Sequence, residues 1–288
     1  YIYIYYIIMF NNEILNQSIN KAIGGGVSGS IAMSTQVVTL MWLRTTMNYQ
    51  YRFGTNTTTA LKTLYKEGGI LRFYKGFLPA LVQGPLARFG DTATNTGVMY
   101  YMNHNPNTKD LHISVKSFFC SSTASLWRIV IMPVDTIKTN MQVNGNNSFK
   151  ILSQKFKSGG VPVMYNGALA ASSATFVGHY PWFFTYNYLN EKLPVYENNL
   201  LKYTIKNGCI GFSASLISDT CSNSLRVIKT TKQTYKNNIS YIDCVNMIIK
   251  SDGIFGLFGR GLKTRILANG LQSSLFTITW KYFEKKLN

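Results

Sequence analysis

The feature that most constrains the fold is a motif that recurs three times at nearly the same interval. An acidic residue and a glycine, six further residues, then a basic residue and a glycine run from Glu67 to Gly76 and again from Asp252 to Gly261. A degenerate copy runs from Ser158 to Gly167. The closing glycines are 91 and 94 residues apart. Because tandem structural units keep a fixed period, the chain is predicted to contain three repeats.

A second motif has the same period. The stretch Pro133–Lys138 is followed, four residues after Lys138, by Gln142. The equivalent basic positions hold Arg44 and Lys229, which lie 94 residues before and 91 residues after Lys138. Two independent motifs at one period define the repeat limits, since chance rarely supplies such agreement. We assign an N-terminal tail over residues 1–17 and repeats over 18–107, 108–198 and 199–288.

Each repeat contains two long segments that are poor in charge and separated by a polar amphipathic stretch. A helix of about twenty residues crosses the roughly 30 Å hydrocarbon core of a bilayer. Charged residues make up only 14 % of the chain, against about 25 % in ordinary globular domains. We therefore predict an all-α membrane protein with six transmembrane helices in three two-helix repeats. The predicted spans are 19–48, 77–101, 113–142, 168–190, 204–233 and 262–283, with surface helices near 56–66, 146–157 and 239–250.

The charge balance limits the partners. The formal net charge is +18. Such an excess of positive charge indicates either an anionic partner or a surface whose charges only keep the protein solvated. The sequence lacks a nucleic-acid-binding motif, so anionic lipid headgroups suit the apolar composition better. No nucleophile pattern or phosphate-binding loop indicates an enzyme, and the four cysteines lack metal-ligand spacing. The aromatic run Tyr1–Phe10 is too short to span a bilayer and is predicted to lie at the membrane interface.

The Pro133–Lys138 motif with Gln142, together with the recurring acidic-glycine and basic-glycine pairs, resembles the mitochondrial carrier family. The resemblance covers nearly the whole chain after about residue 18. It implies a pseudo-threefold barrel of six tilted helices in the mitochondrial inner membrane, with both termini toward the intermembrane space. In such proteins the motif proline kinks the first long helix of each repeat. Only Pro133 is retained here, and Thr39 and Ser224 stand at the other two positions.

The resemblance also implies that motif charges pair between repeats and close the cavity on the matrix side. The acidic positions hold Met41, Asp135 and Arg226, so a single carboxylate faces four cations. At most one ordinary pair with Asp135 is expected, and the like charges predict a gate that is weak or held by an anion. The predicted matrix gate comprises Arg44, Asp135, Lys138, Gln142, Arg226, Lys229 and Gln233.

The outer gate and the substrate-contact positions depart from the family pattern. Remnants of the outer gate stand at Asn187, Asn190, Lys281 and Glu284, where charges are missing or exchanged in sign. The contact positions seven residues after the closing glycines are uncharged, which argues weakly against a large polyanion. Arg128 and Asp219 face the expected cavity and either recognise a zwitterion or pair with each other. The substrate-cavity candidates are Gln83, Arg88, Arg128, Ala174, His179, Asp219 and Ala268; Arg88 and His179 could equally be polar packing residues.

The motif glycines have two interpretations. In the family, the backbone near them binds cardiolipin, because helix N-termini present unpaired N–H groups and a positive dipole end. Glycine also terminates helices, so simple turn formation explains the same residues. Bound cardiolipin is the only non-protein component expected. The candidate positions are Gly68, Gly76, Gly159, Gly167, Gly253 and Gly261.

Two functions remain open from the sequence. The first is a solute carrier that exchanges an unidentified small metabolite by alternating access. The second is a carrier-fold protein without transport activity that serves as a structural subunit of a larger inner-membrane assembly, such as a respiratory-chain complex. The intact Pro133 motif and both glutamines favour the first, whereas the altered gate charges favour the second. The fold alone does not decide between them.

Overall fold

The computed structural model describes residues 2–194 and 200–272, and this part of the chain consists of helices joined by short turns, without a β-strand. The predicted long segments and surface segments in this part are confirmed as helices. Their bounds are α1 Ile2–Phe53, α2 Thr57–Phe73, α3 Phe77–His104, α4 Ile113–Val130, α5 Met132–Asn144, α6 Ser148–Gly159, α7 Ala168–Lys192, α8 Leu200–Thr234, α9 Tyr241–Asp252 and α10 Ile254–Gly259. A further helix, α11, occupies residues 262–272.

The N-terminal segment differs from the expectation of a separate tail. Helix α1 begins at Ile2 and continues to Phe53, so most of residues 1–17 extend the first long helix. Residues 2–23 contain neither proline nor glycine, so no helix breaker separates the expected tail from the first long helix.

The long helices form a ring. Helix α1 packs on α3, α3 on α4, α4 on α7, α7 on α8, and α8 returns to α1. Helix α11 lies between α8 and α1, since Ala268 packs with Leu40 and Leu43 and Arg265 contacts Asp219. Small residues let α1 approach α3 closely: a Cβ on Gly29 would lie 2.7 Å from the Thr92 hydroxyl. The ring order follows the chain order, as the three repeats predict.

The kink predicted at Pro133 is confirmed. Helix α4 ends at Val130 and α5 begins at Met132 with the proline in its first turn, where a missing N–H costs nothing. Helix α1 also breaks, at Leu40, next to Thr39. By length and hydropathy, none of the described helices qualifies alone as a membrane span, whereas residues Ile113–Val130 and Met132–Gly159, bent by 66°, qualify as a pair.

Two glycine turns set where the second long helix of repeats 1 and 2 begins. Gly76 and Gly167 have φ values of 83° and 85° and immediately precede α3 and α7. A Cβ on either glycine would lie 3.0 Å from a backbone oxygen of the next repeat, that of Lys138 or of Lys229. The closing glycine of the motif therefore permits both a left-handed backbone and close contact between repeats.

We expect Gly167→Ala to lower the free energy of unfolding by about 1–3 kcal/mol, because alanine is strained at positive φ and its methyl group crowds the Lys229 carbonyl. Thermal unfolding in detergent measures the loss. Gly208→Ala is the matched control, because that glycine lies inside α8 with open space around it. Equal effects of the two substitutions would contradict the account of Gly167.

A basic side chain from each repeat caps the end of the first long helix of the following repeat, with repeat 1 following repeat 3. Arg72 donates to the Gln142 and Val143 carbonyls at the end of α5, both at 2.8 Å. Lys155 Nζ lies 3.4 Å and 3.2 Å from the Lys232 and Gln233 carbonyls of α8. Arg260 Nη1 lies 3.4 Å and 3.3 Å from the Tyr51 and Arg52 carbonyls of α1. The last carbonyls of a helix lack intrahelical partners, so these contacts join the repeats on one side of the ring.

Lys155 makes the stability of this side depend on pH. Burial, with the nearby charge of Lys232, lowers the pKa of Lys155 from 10.5 to about 8. Between about pH 8 and about pH 10.5 the unfolded chain binds more protons at this amine, so the folded state gains stability as the pH rises. We expect the melting temperature of wild type to rise relative to Lys155→Met across that window. Parallel pH profiles of the two proteins would exclude this role for Lys155.

Candidate functional site

The predicted matrix gate forms in part, around Asp135. This carboxylate is only 4 % exposed and belongs to α5 in repeat 2. Its Oδ1 accepts from Lys138 Nζ at 2.9 Å, and its Oδ2 contacts Lys229 Nζ of α8. Gln233 Nε2 also donates to Oδ2, at 3.1 Å. The expectation of one ordinary pair is therefore wrong, because Asp135 contacts two lysines and a glutamine, and these contacts join repeats 2 and 3.

Among the residues that the structure describes, no ion pair joins the motif positions of repeats 1 and 2. Met41 occupies the acidic position and is fully buried against Val37 and Ala80. Gln142 contacts Met41 as Gln233 contacts Asp135, with its Nε2 3.5 Å from the Met41 sulfur. The Gln142 side-chain oxygen accepts a hydrogen bond from Asn48 Nδ2 at 2.5 Å. Apolar packing and amide contacts thus replace the charge pair here.

The junction between repeats 3 and 1 is dominated by cations. Arg226 occupies the acidic position of α8, and its Nη2 lies 3.6 Å from Asp219 Oδ1. Arg265 of α11 makes a closer ion pair with the same oxygen, at 2.6 Å. Arg44 of α1 donates only to the Met33 sulfur, at 3.2 Å, within the described residues. Helices α8 and α11 therefore share one carboxylate, and α1 contributes a guanidinium that has no acidic partner in the described part of the chain.

The suggested pairing of Arg128 with Asp219 is wrong. Arg128 Nη2 lies 2.5 Å from Asp91 Oδ2, which joins α4 to α3. Asp219 is occupied by Arg265 and Arg226 and accepts from Asn269 Nδ2. Spacing along α4 and α8 placed both residues toward the interior but gave no information about which neighbour each would meet.

The three parts of the chain that carry the repeats each match one family. The profile of the mitochondrial carrier protein family matches residues 12–105, 112–197 and 202–288. The chain belongs to this family. Members of the mitochondrial carrier family are transporters and not enzymes.

Individual relatives of this carrier are distant. It is 24 % identical over 208 residues to the mitochondrial thiamine pyrophosphate carrier 1 of Meyerozyma guilliermondii, covering 68 % of each chain. It is 22 % identical over 277 residues to the protein of that name in Scheffersomyces stipitis, covering 90 % of this chain and 88 % of the relative. It is also 23 % identical over 167 residues to human mitoferrin-1, covering 55 % of this chain and 49 % of the relative.

The other predicted cavity residues of this carrier lie in different surroundings. Gln83 accepts from Lys138 Nζ at 2.9 Å and so belongs with the gate, and His179 lies near Asp91 and Arg128. Ala174 and Ala268 are 3 % and 6 % exposed, buried between helices. Arg88 is exposed and makes no side-chain hydrogen bond or ion pair with the described residues.

Arg265 was not predicted from the sequence, although it lies three residues before the contact position Ala268 and thus on the same face of its helix. The capping residue Arg72 was not predicted either; it lies within the six-residue spacer of the motif and outside its recurring positions.

The outer-gate and glycine positions are located only in part. Asn190 is exposed on α7, Asn187 lies in the same helix, and Lys281 and Glu284 lie outside the described residues. Gly76, Gly167, Gly253 and Gly261 have positive φ. Gly68 is extended at φ 173°, and its neighbour Gly69 takes the positive φ instead. Gly159 ends α6, and Gly160 takes that conformation after it.

Proposed function

We propose that this protein is a solute carrier of the mitochondrial inner membrane, which exchanges a small metabolite by alternating access, with both termini toward the intermembrane space. The observation that carries the proposal is the buried contact of Asp135 with Lys229 across two repeats. Such a contact forms when the repeats converge and breaks when they separate, so it suits a gate. A fold without transport would gain little stability from two lysines on one buried carboxylate compared with apolar residues at the same positions.

A membrane location is supported by the outer face of α1. Exposed apolar residues recur every four positions at Ile19, Ile23, Val27 and Ile31, which forms one stripe on the helix. The opposite side packs on α3 and leads to the charged interior. We propose that all six long helices of the repeats span the bilayer in this orientation, with apolar faces outward and ion pairs inward.

Cardiolipin binding at the glycine turns is part of the proposal. Helix α3 begins after Gly76 without a hydrogen bond from its N-cap residue's side chain, so the helix start offers N–H groups to a phosphate. Helix α7 begins in the same way after Gly167, and there the Tyr241 hydroxyl lies at the first backbone groups of the helix. Addition of cardiolipin to delipidated protein is expected to raise its melting temperature more than phosphatidylcholine does. Equal effects of the two lipids would contradict this part.

The names of the relatives suggest which compounds to test first as the solute. Two of them are thiamine pyrophosphate carriers, so thiamine pyrophosphate is the first compound of the test panel. A carrier gains stability from its solute by mass action, so the compound that is transported is expected to raise the melting temperature of the purified protein.

Native-gel separation of mildly solubilised mitochondrial membranes distinguishes the two functions left open by the sequence. A solute carrier is expected to migrate near its own 32.5 kDa plus detergent and lipid. Migration of nearly all of this chain within a large complex, with no stabilisation by any compound of the panel, would favour the structural-subunit function instead.

A further inference from the structure

Four arginines converge between repeats 3 and 1 on the interior of the ring. Arg226 and Arg265 contact Asp219, at 3.6 Å and 2.6 Å. Arg44 lies within electrostatic range of Arg265 and of Arg88, and Arg226 within range of Arg265. We call these four residues and Asp219 the arginine cluster. A single carboxylate balances one of its four positive charges among the described residues.

The nitrogen atoms of the cluster are incompletely bonded. Arg44 Nε is buried without a hydrogen-bond partner in the described part of the chain, and Arg44 Nη2 meets only a thioether sulfur, which is a weak acceptor. Arg88 has no partner there either, but its side chain is exposed and so is accessible to a soluble anion. Buried charges and donors without acceptors are costly, so they normally meet a counter-ion or ligand.

The excess positive charge of the arginine cluster lies where repeats 3 and 1 must approach each other for the matrix gate to close. Arg226 stands where the family pattern has an acid, and Arg44 is the basic residue that such an acid would pair with. Because both positions carry guanidinium groups, each within electrostatic range of Arg265, repulsion opposes the approach of repeats 3 and 1. An anion between them would reverse the sign of that interaction.

We propose that the arginine cluster is a binding site for a phosphate-type group of the transported solute, which replaces the missing gate carboxylate and lets repeats 3 and 1 close on the matrix side. The inference rests on the proposed carrier function and names its solute class as an organic anion with a phosphate or diphosphate group. Guanidinium groups bind phosphate oxygens through paired, charge-assisted hydrogen bonds. Solute binding and gate closure are then coupled, because the anion binds the closed arrangement better than the open one.

The test is binding of inorganic pyrophosphate to the purified full-length protein, by calorimetry and by thermal unfolding, at constant ionic strength against chloride. Wild type is expected to bind pyrophosphate and to gain stability from it. Arg226→Glu places a carboxylate beside Arg265 and lowers the positive charge of the cluster, so we expect this variant to be at least as stable without ligand and to bind pyrophosphate about tenfold or more weakly. Arg226→Gln removes the charge with a small change of shape and is expected to weaken binding in the same direction.

Lys62→Glu is the matched control, because it makes the same change of net charge at an exposed position on α2. It is expected to leave pyrophosphate binding unchanged. Equal binding by wild type and both Arg226 variants, or no binding by wild type, would overturn the inference. Exchange of a neutral or cationic solute by a protein that does not bind pyrophosphate would overturn it while leaving the carrier function intact. If wild type binds pyrophosphate, Arg226→Glu does not, and the wild-type protein exchanges no solute, the anion site is supported and the carrier function is contradicted.

Discussion

Replacing Asp135 by asparagine is expected to abolish solute exchange and to lower the free energy of unfolding by about 3–5 kcal/mol, because it leaves buried lysines without their counter-charge. Lys138 and Lys229 both contact this carboxylate, and the described residues offer neither lysine a second one. Exchange by reconstituted protein and thermal unfolding in detergent measure the two effects. The transport loss follows because the contact with Lys229 joins repeats 2 and 3.

Two further variants separate the gate from a general loss of charge. Asp135→Asn combined with Lys229→Gln is expected to recover part of the stability, since it removes an unpaired cation, but not the exchange. Asp243→Asn changes an exposed carboxylate that caps α9, and it is expected to cost only about 0.5–1 kcal/mol and leave exchange intact. Unchanged exchange by Asp135→Asn would refute the gate.

The second large effect is expected at Arg72. Arg72→Met removes two hydrogen bonds to the Gln142 and Val143 carbonyls and an ion pair with Glu67 at 2.8 Å. Arg72 is 4 % exposed, so the freed carbonyls remain poorly hydrated. We expect the free energy of unfolding to fall by about 2–4 kcal/mol, as measured by thermal unfolding.

Lys75→Met is the control for Arg72. Lys75 is the basic residue of the recurring motif in the same repeat, yet its side chain makes no hydrogen bond to the described residues. It is therefore expected to have a small effect on stability. A cost at Lys75 equal to that at Arg72 would show that the motif position, and not the contact with α5, stabilises the junction.

The period of the sequence predicted the architecture well because every repeat must bury the same helix faces. The motif glycines near residues 76 and 167 mark the helix starts, and Pro133 marks the kink, since these residues restrict the backbone locally. Such local rules need no knowledge of the rest of the chain. The continuation of α1 back to Ile2 was missed because an aromatic run carries no helix-start signal.

Contacts between repeats could not be predicted in the same way. Arg128 was linked to Asp219 on the basis of equivalent positions, but Asp91 lies on the helix packed beside it. Arg226 was recognised as a departure at an acidic position, and Asp219 lies two turns before it on the same helix, whereas the approach of Arg265 depends on how α11 packs against α8. The pattern of one helix gives the face on which a side chain lies; the partner is fixed by packing between helices.

The most direct test of the carrier function is counter-exchange in liposomes of phosphatidylcholine and cardiolipin. Liposomes containing the purified protein are loaded with an isotopically labelled mitochondrial metabolite extract and diluted into unlabelled extract, and the released compounds are measured by mass spectrometry. At least one small metabolite is expected to leave faster from wild-type liposomes than from liposomes with Asp135→Asn, because the variant lacks the gate carboxylate. Identical release of every compound by the two proteins would contradict the carrier function.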